Sequence, residues 1–284
     1  YVFAMGDIHY DGSQDLDLQF SEIKEMIAGK VREHNIGELV IAELGDPIEG
    51  SSIRPSQLMA IKKGMVEQIT IVSRYYIAML NQLTEELGIN IKFICVESSN
   101  HTELRVQGST RGEMPLEDLM LTMCENIKLG THSNDRIECI TGRRIFTNIN
   151  GIEYLFEHGH QIFNKSKHIQ SLESFADLKI DMAYIGHFHH YKTEDLVYVD
   201  RIGYNKNVTF IPHCNVNGSD FADHYHLSSA PAIHFSIDSV DSKVQENLIL
   251  RKSLEKARSS QELEKDITPN LTKVKRYCRR ICNC

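Results

Sequence analysis

The sequence predicts a mixed α/β layered domain, and three observations predict it. Short apolar runs recur along the chain, separated by segments whose apolar residues follow helical spacing, the pattern of strands packed against helices. The 284 residues are 41% hydrophobic, enough for a sizeable core in one large domain or two small ones. Several of the apolar runs end in polar residues of ligand type, from Asp7 and His9 to the stretch Asp181 to His190, DMAYIGHFHH. In open α/β sheets, sites form beyond the carboxyl ends of the strands.

Taken in order, Tyr1 to Met5 predicts a first strand ending in Gly6-Asp7-Ile8-His9, and Asp11 to Asp17 a polar loop. Phe20, Ile23, Ile27 and Val31 follow helical spacing, so a helix covers Leu18 to His34. Leu39 to Leu44 is a second buried strand ending in Gly45-Asp46, where Pro47 stops regular structure. Ser56 to Leu87 reads as one long helix, with Gly64 its weak point and Gly88 its C-cap. Ile91 to Val96 is a third strand, followed by Ser98-Ser99-Asn100-His101. Pro115 to Leu129 reads as a helix with proline near its start. Arg136 to Phe156 reads as a β-meander with turns at Thr141-Gly142 and Asn150-Gly151, delivering Glu157-His158-Gly159-His160. A helix from Ser166 to Leu178 precedes the DMAYIG strand. Glu194 to Tyr198, Val208 to Ile211 and Ala232 to Ile237 are strand-like, and the loop Asn215 to Ser229 is long enough to suggest a function. From Gln245 onward the chain is charged, with weak helical periodicity. The predicted division is a domain over residues 1–244 and a charged, partly helical tail over 245–284.

A net charge of −8 argues against a broad basic face for nucleic acid, though not against a local basic track. No stretch approaches about 18 uninterrupted apolar residues, and the opening YVFAMGD is too short for a signal-peptide core, so a soluble cytoplasmic protein is expected. Cys95, Cys124, Cys139 and Cys214 are isolated among apolar neighbours and are expected as buried free thiols. Cys278, Cys282 and Cys284 have no nearby fourth ligand, so they read as part of a basic tail or interaction helix rather than as a zinc knot.

Five strand ends carry the chemistry: Asp7/His9, Asp46/Glu49, Asn100/His101, His158/His160 and His187/His189. Each alone has a plain reading. Asp7 and Gly45-Asp46 suit turns, Asn100 an Asx-turn, and His158-Gly159-His160 a polar loop. Five in succession, each after an apolar run, are not explained by turn chemistry. Carboxylates, an amide and imidazoles without thiolate form a donor set for Mn²⁺, Fe or Zn²⁺ rather than for a structural zinc.

The order GDIH, GDPIE, SNHTE, EHGH, GHFH resembles the calcineurin-like metallophosphoesterase superfamily, over Val2 to His189, roughly two thirds of the chain. The family pattern has Asp in place of Glu49 and Gly in place of Ser99, and neither position is a metal ligand there. The resemblance implies a layered two-sheet β-sandwich flanked by helices, with the site at the strand ends. It implies two divalent cations, Mn²⁺ foremost, one held by Asp7, His9, Asp46 and His189 and the other by Asp46, Asn100, His158 and His187. Asp46 bridges, since a carboxylate has two oxygens. A metal-bridging hydroxide attacks phosphorus in line. His101 protonates the leaving alkoxide, and Glu103 holds the imidazole. His160 is expected beside the substrate, and Arg105 and Arg111 are expected to grip phosphate bidentately. His190 is expected to be solvated, with His213, His224 and His226 in a region that shapes access.

Within the superfamily the chain most resembles the branch of DNA-repair exonucleases and related phage and bacterial proteins, through its Ser-Asn-His-Thr-Glu-x-Arg stretch and compact His-Gly-His block. The first functional expectation is a phosphodiesterase or nuclease acting on DNA. A phosphomonoesterase or Ser/Thr protein phosphatase is the second, although it calls for more arginines beside the motifs than Arg54, Arg105 and Arg111. The third is a catalytically silent subunit, which usually shows lost ligands, whereas here every ligand position is filled. No membrane partner is expected.

Overall fold

The computed structural model describes residues 1–50, 61–104, 117–162, 165–189, 192–197, 205–217, 230–238 and 243–260. Strand β1 (Val2–Met5) leads to helix α1 (Leu16–His34), where the Asp15 side chain accepts from the Leu18 N–H and Asn35 closes the helix at φ 51°. An Asp at that position satisfies one of the helix's unpaired amides, and Asn tolerates the left-handed turn. Strand β2 (Glu38–Glu43) precedes α2 (Met65–Leu87), which Gly88 ends at φ 68°. Next come β3 (Asn90–Val96), the short pair β4 (Glu103–Leu104) and β5 (Glu117–Asp118), and α3 (Leu119–Thr131). The chain continues through β6 (Ile137–Gly142), β7 (Arg144–Ile149), β8 (Ile152–Glu157), α4 (Lys165–Ala176) and β9 (Met182–Ile185). It then runs through β10 (Lys192–Val197), β11 (Asn205–Phe210), β12 (Ala232–Asp238) and β13 (Lys243–Ile249) to a helix α5 at residues 251–260.

These strands form two main sheets. The first has the order β13-β12-β1-β2-β3-β6, with β1, β2, β3 and β6 parallel. The second has the order β10-β11-β9-β8-β7, with β8, β9 and β11 parallel. Alternation along the strands divides the core. Phe3, Met5, Leu39, Ile41, Ile91 and Phe93 face α1, α2 and α3. Their neighbours Val2, Ala4, Val40, Ala42, Ile94 and Val96 face Ile145, Tyr154, Phe156 and Tyr184 of the second sheet. The far side of that sheet packs Leu155, Ala183 and Phe210 on Ile169 of α4. Period-two alternation with both faces apolar is what a sheet buried on both sides requires. The result is the expected two-sheet sandwich flanked by helices.

Several boundaries differ from expectation. Helix α2 starts at Met65, not Ser56, because Gly64 is extended at ψ 155° and residues 61–63 are not helical; residues 56–60 lie outside the described residues. Helix α3 starts at Leu119, not Pro115, because Asp118 caps it and is held in the β4–β5 pair. Residues 136–156 are not one meander. Strand β6 joins β3 in the first sheet, while β7 and β8 form a hairpin in the second, so the chain changes sheets at Arg143. The hairpin turn falls at Asn150-Gly151 as predicted, with φ 54° and 85°, the conformation that favours Asn-Gly. Cys95, Cys124 and Cys214 are buried thiols, but Cys139 is only half-buried, since β6 is an edge strand. Among the described residues, no helix is long and apolar enough to cross a membrane.

The expected boundary between residues 244 and 245 falls inside β13, which pairs along its length with β12. Its polar residues suit an outer edge, where charge discourages further pairing. Helix α5 also belongs to the layered body. Glu22 of α1 accepts from the Lys252 N–H (2.9 Å), the Ser253 N–H (2.9 Å) and the Ser253 hydroxyl (2.6 Å), satisfying amides of the α5 start. Glu22→Ala is expected to lower stability by about 1–2 kcal/mol, read from the midpoint of urea unfolding. Cys278, Cys282 and Cys284 lie outside the described residues.

Candidate metal centre

The five motif blocks meet at the carboxyl ends of β1, β2, β3, β8 and β9, where the two sheets face each other. The β1 and β2 exits run side by side after the strands end. Asp7 N–H donates to Gly45 O (2.8 Å), His9 N–H to Asp46 O (3.0 Å) and Tyr10 N–H to Pro47 O (3.1 Å). Asp7, His9, Asp46, His187 and His189 all hold positive φ, between 49° and 69°. Non-glycine residues in that region carry strain of about 1–3 kcal/mol each and cluster at functional sites. Gly45 and Gly186 let the loops approach closely. A Cβ on Gly45 would sit 2.7 Å from His158 Nδ1, and one on Gly186 would sit 3.0 Å from the Leu44 carbonyl.

The ligand-type atoms form three overlapping groups, Asp7/His9/His189, His9/Asp46/His101 and Asp46/His158/His187, with the atoms of each group within 4.8 Å of one another. His189 Nε2 lies 3.3 Å from Asp7 Oδ1 and 3.1 Å from His9 Nε2. His158 Nε2 lies 3.1 Å from Asp46 Oδ2 and 3.2 Å from Asn100 Oδ1. The other His158 nitrogen, Nδ1, donates to the Leu44 carbonyl at 2.8 Å, which leaves the Nε2 lone pair to face those two acceptors. Asp7 Oδ1, Asp46 Oδ2 and His187 Nδ1 are buried and take no hydrogen bond of good geometry from the described residues. Lone pairs converging from several sides in a buried space are the donor arrangement of a cation site, so these residues fit divalent metal.

The electrostatics follow from the same packing. Burial alone raises the Asp7 carboxyl, but His189 and His158 outweigh it and hold Asp7 down at about 2. Burial lowers His158, but the Asp46 carboxylate outweighs it and raises the imidazole to about 9. His187 is lowered to about 4 by burial and then by the His158 charge. Burial also lowers His101.

Asp46 uses its two oxygens differently. Oδ1 accepts from the Ser99 hydroxyl and from the His101 N–H (3.2 Å). Only Oδ2 faces the imidazoles of His158, His9 (4.0 Å) and His101 (3.8 Å). Oδ2 is thus the Asp46 oxygen that would be available to a cation, since Oδ1 is already hydrogen-bonded. Ser99, which departs from the family pattern, supplies the group that occupies Oδ1.

Glu103 does not brace His101 as expected. His101 Nδ1 faces the Glu49 carbonyl at 2.7 Å, with the Glu49 carboxylate 3.9 Å away. The β4–β5 pairing sets Glu103 elsewhere, 3.8 Å from His160 Nε2. Glu49 Oε2 also lies 3.1 Å from His9 Nδ1, so this residue touches both a ligand-type histidine and His101. In the sequence Glu49 stands out only as the carboxylate paired with Asp46 at the β2 exit, with nothing local to link it to His9 or His101. His160 lies tilted beside His158 with ring centres 5.3 Å apart, and the buried His213 lies 5.7 Å from His189. Arg105, Arg111, His190, His224 and His226 lie outside the described residues.

No family model matches the chain. It is 33% identical over 201 residues to the SPbeta prophage-derived uncharacterized protein YonJ of Bacillus subtilis (strain 168), covering 66% of this chain and 49% of the relative. The chain thus spans about half the length of that curated relative. Among solved structures, an archaeal phosphodiesterase aligns at 15% identity over 87% of this chain and 99% of its own, with a TM-score of 0.43. Vps29 of Entamoeba histolytica, in complex with zinc, aligns at 12% identity over 88% and 98%, with a TM-score of 0.36. A predicted phosphoesterase of Streptococcus pneumoniae TIGR4 aligns at 12% identity over 87% and 96%, with a TM-score of 0.32. None of these scores reaches 0.5, so the functional reading stands on the site itself. The layered sandwich and the meeting of all five motif blocks at one buried cluster of Asp, Asn and His agree with the resemblance to the calcineurin-like metallophosphoesterases.

Proposed function

We propose that this chain is a calcineurin-like metallophosphoesterase that hydrolyses phosphodiesters, with DNA as the favoured substrate. The observation that carries the reading is the convergence of Asp7 Oδ1, Asp46 Oδ2, Asn100 Oδ1 and the imidazoles in one buried space. Asp7, His9, Asp46 and His189 would hold one cation, and Asp46, Asn100, His158 and His187 would hold the other. A nitrogen and oxygen donor set without thiolate suits Mn²⁺, with Fe or Zn²⁺ as the alternatives. Two bound cations supply Lewis acidity toward the phosphate oxygens and an acidified water.

The chain's own groups do the rest. Glu49 O accepts the Nδ1 proton of His101, which fixes the ring and leaves Nε2 to deliver a proton to the departing alkoxide. Glu49 Oε2 orients His9 through Nδ1, so His9 presents Nε2 to the cation. His160, whose ring lies 5.3 Å from that of His158 with Glu103 3.8 Å from its Nε2, is the residue of this pair we assign to the substrate. The preference for a diester rests on the Ser-Asn-His-Thr-Glu-x-Arg and His-Gly-His stretches. The free thiols Cys95 and Cys124 agree with a reducing, cytoplasmic setting.

The test is a Mn²⁺-supplemented panel of bis-p-nitrophenyl phosphate, p-nitrophenyl phosphate, and labelled single- and double-stranded DNA. Cleavage of the diester and of DNA, with little monoester turnover, is expected. Monoester turnover without DNA cleavage shifts the assignment to a phosphatase. Bound metal with no turnover on any substrate removes the enzyme reading in favour of a silent subunit.

A further inference from the structure

The loop that carries Asp46 is pinned at one end by Glu43 of β2, itself held by Tyr76 of α2, and at the other by Gln68 of α2, and no catalytic step uses these side chains. Glu43, the last residue of β2, has the same parity as Leu39 and Ile41 and therefore points into the apolar layer under α2. It is fully buried. Its Oε1 accepts from the Gly45 N–H at 3.0 Å, and its Oε2 is hydrogen-bonded to the hydroxyl of Tyr76, which is itself fully buried. Seven residues on, the Gly50 N–H donates to Gln68 Oε1 at 3.1 Å, and Gln68 is fully buried two turns before Tyr76 on α2. The loop between these two anchors touches most of the site. Gly45 O takes the Asp7 N–H, and the Gly45 Cα lies against the His158 ring. Glu49 meets His9 and His101, and a Cβ on Gly50 would fall 2.0 Å from the His101 carbonyl.

A carboxyl group in an apolar layer is costly to bury, and a leucine of similar volume would pack there without that penalty. Burial pushes the Glu43 carboxyl up to about 8, so near neutrality it is mainly a protonated, hydrogen-bonding group rather than a charge. Tyr76 is fixed in turn by the rings of Phe20 and Phe93, with centres 5.1 and 5.7 Å away. We propose that Glu43, Tyr76 and Gln68 are positioning residues, a clamp between β2 and α2 that holds the Gly45-to-Gly50 loop in the geometry cation binding requires. The proposal rests on the metal reading above and adds to it the part of the fold that sets ligand geometry from beneath.

The test is Mn²⁺ titration calorimetry on the full chain, alongside melting of each protein in excess chelator. Glu43→Leu and Tyr76→Phe are expected to weaken Mn²⁺ binding by about 10-fold or more, and Glu43→Gln, which keeps both hydrogen bonds, to stay within about threefold of the wild type. A packing role alone would lower the chelated melting temperature and leave the metal affinity unchanged, which overturns the proposal. Equal weakening in Glu43→Gln and Glu43→Leu also overturns it, because charge would then be the operative property. Tyr76→Phe removes a single hydroxyl and decides the matter if Glu43→Leu does not fold. A wild-type protein that takes up no Mn²⁺ removes the metal reading and the clamp together, whereas wild-type binding with unaltered variants removes only the clamp.

Discussion

Asp46→Asn is expected to abolish hydrolysis, with turnover of bis-p-nitrophenyl phosphate falling at least ~1000-fold, equivalent to about 4 kcal/mol of barrier. The argument is local. Asp46 is fully buried, and its Oδ2 is the one atom shared by the imidazoles on both sides of the centre. Its Oδ1 is already taken by Ser99 and the His101 amide. An amide in its place removes a full negative charge between the two proposed cation positions and can turn an N–H₂ toward them. Metal analysis after dialysis against Mn²⁺ should therefore show reduced metal content together with lost turnover. His187→Ala, which removes a ligand from only one side, should lose turnover while keeping part of the metal. Full activity in Asp46→Asn would sink the two-cation assignment.

His101→Ala is expected to behave differently, keeping the metals bound but slowing turnover by ~10²–10⁴-fold, the usual range for loss of a positioned proton donor. His101 meets Asp46 through its backbone N–H, which alanine retains, so the metal ligand keeps that hydrogen bond. The removed part is the imidazole, anchored through Nδ1 to the Glu49 carbonyl. The loss should depend on the leaving group. p-Nitrophenolate departs without a proton, whereas the alkoxide of a DNA strand needs one. The rate ratio of wild type to His101→Ala should therefore be larger on labelled DNA than on bis-p-nitrophenyl phosphate. Equal ratios on both substrates would argue that His101 orients the phosphate rather than protonating the leaving oxygen.

The sequence made the strand ends legible because a short apolar run followed by Asp, Asn or His is a local pattern. It could locate β1, β2, β3 and β9 and name the side chains at their exits. It could not assign strands to sheets. Strands β6 and β7 are separated by Arg143 alone, yet they enter different sheets, a choice made by the pairing of β6 with the earlier β3 and by the pairing of β8, the hairpin partner of β7, with the later β9. The carboxylate behind His101 was misread for the same kind of reason. Glu49 and Glu103 are both near motif residues in the sequence, and the β4–β5 pairing decides which one faces the ring. The left-handed backbone at Asp7, His9 and Asp46 had no signal either, since none of these residue types demands positive φ. Glu43 was hidden inside an apolar run, where one polar residue reads as noise until its partner on α2 is seen.

The position of β1 has a consequence for how the chain is made. Made before β2 and β12, β1 lies in the finished sheet between them, and its pairing with β12 begins only at residue 232. While the ribosome is still producing the second sheet, β1 has a parallel neighbour on one side and an open row of amides and carbonyls on the other. Both of its faces are apolar, so this nascent edge is well suited to recruit another unfinished chain. The closing strand arrives only after the last metal-binding motif has emerged. A polypeptide stalled or cut before residue 232 thus carries every motif block of the centre and still exposes the strand that bears its first ligands. Selection for efficient production would fall on β12 as well as on the motif histidines, because β12 is the strand that covers this edge.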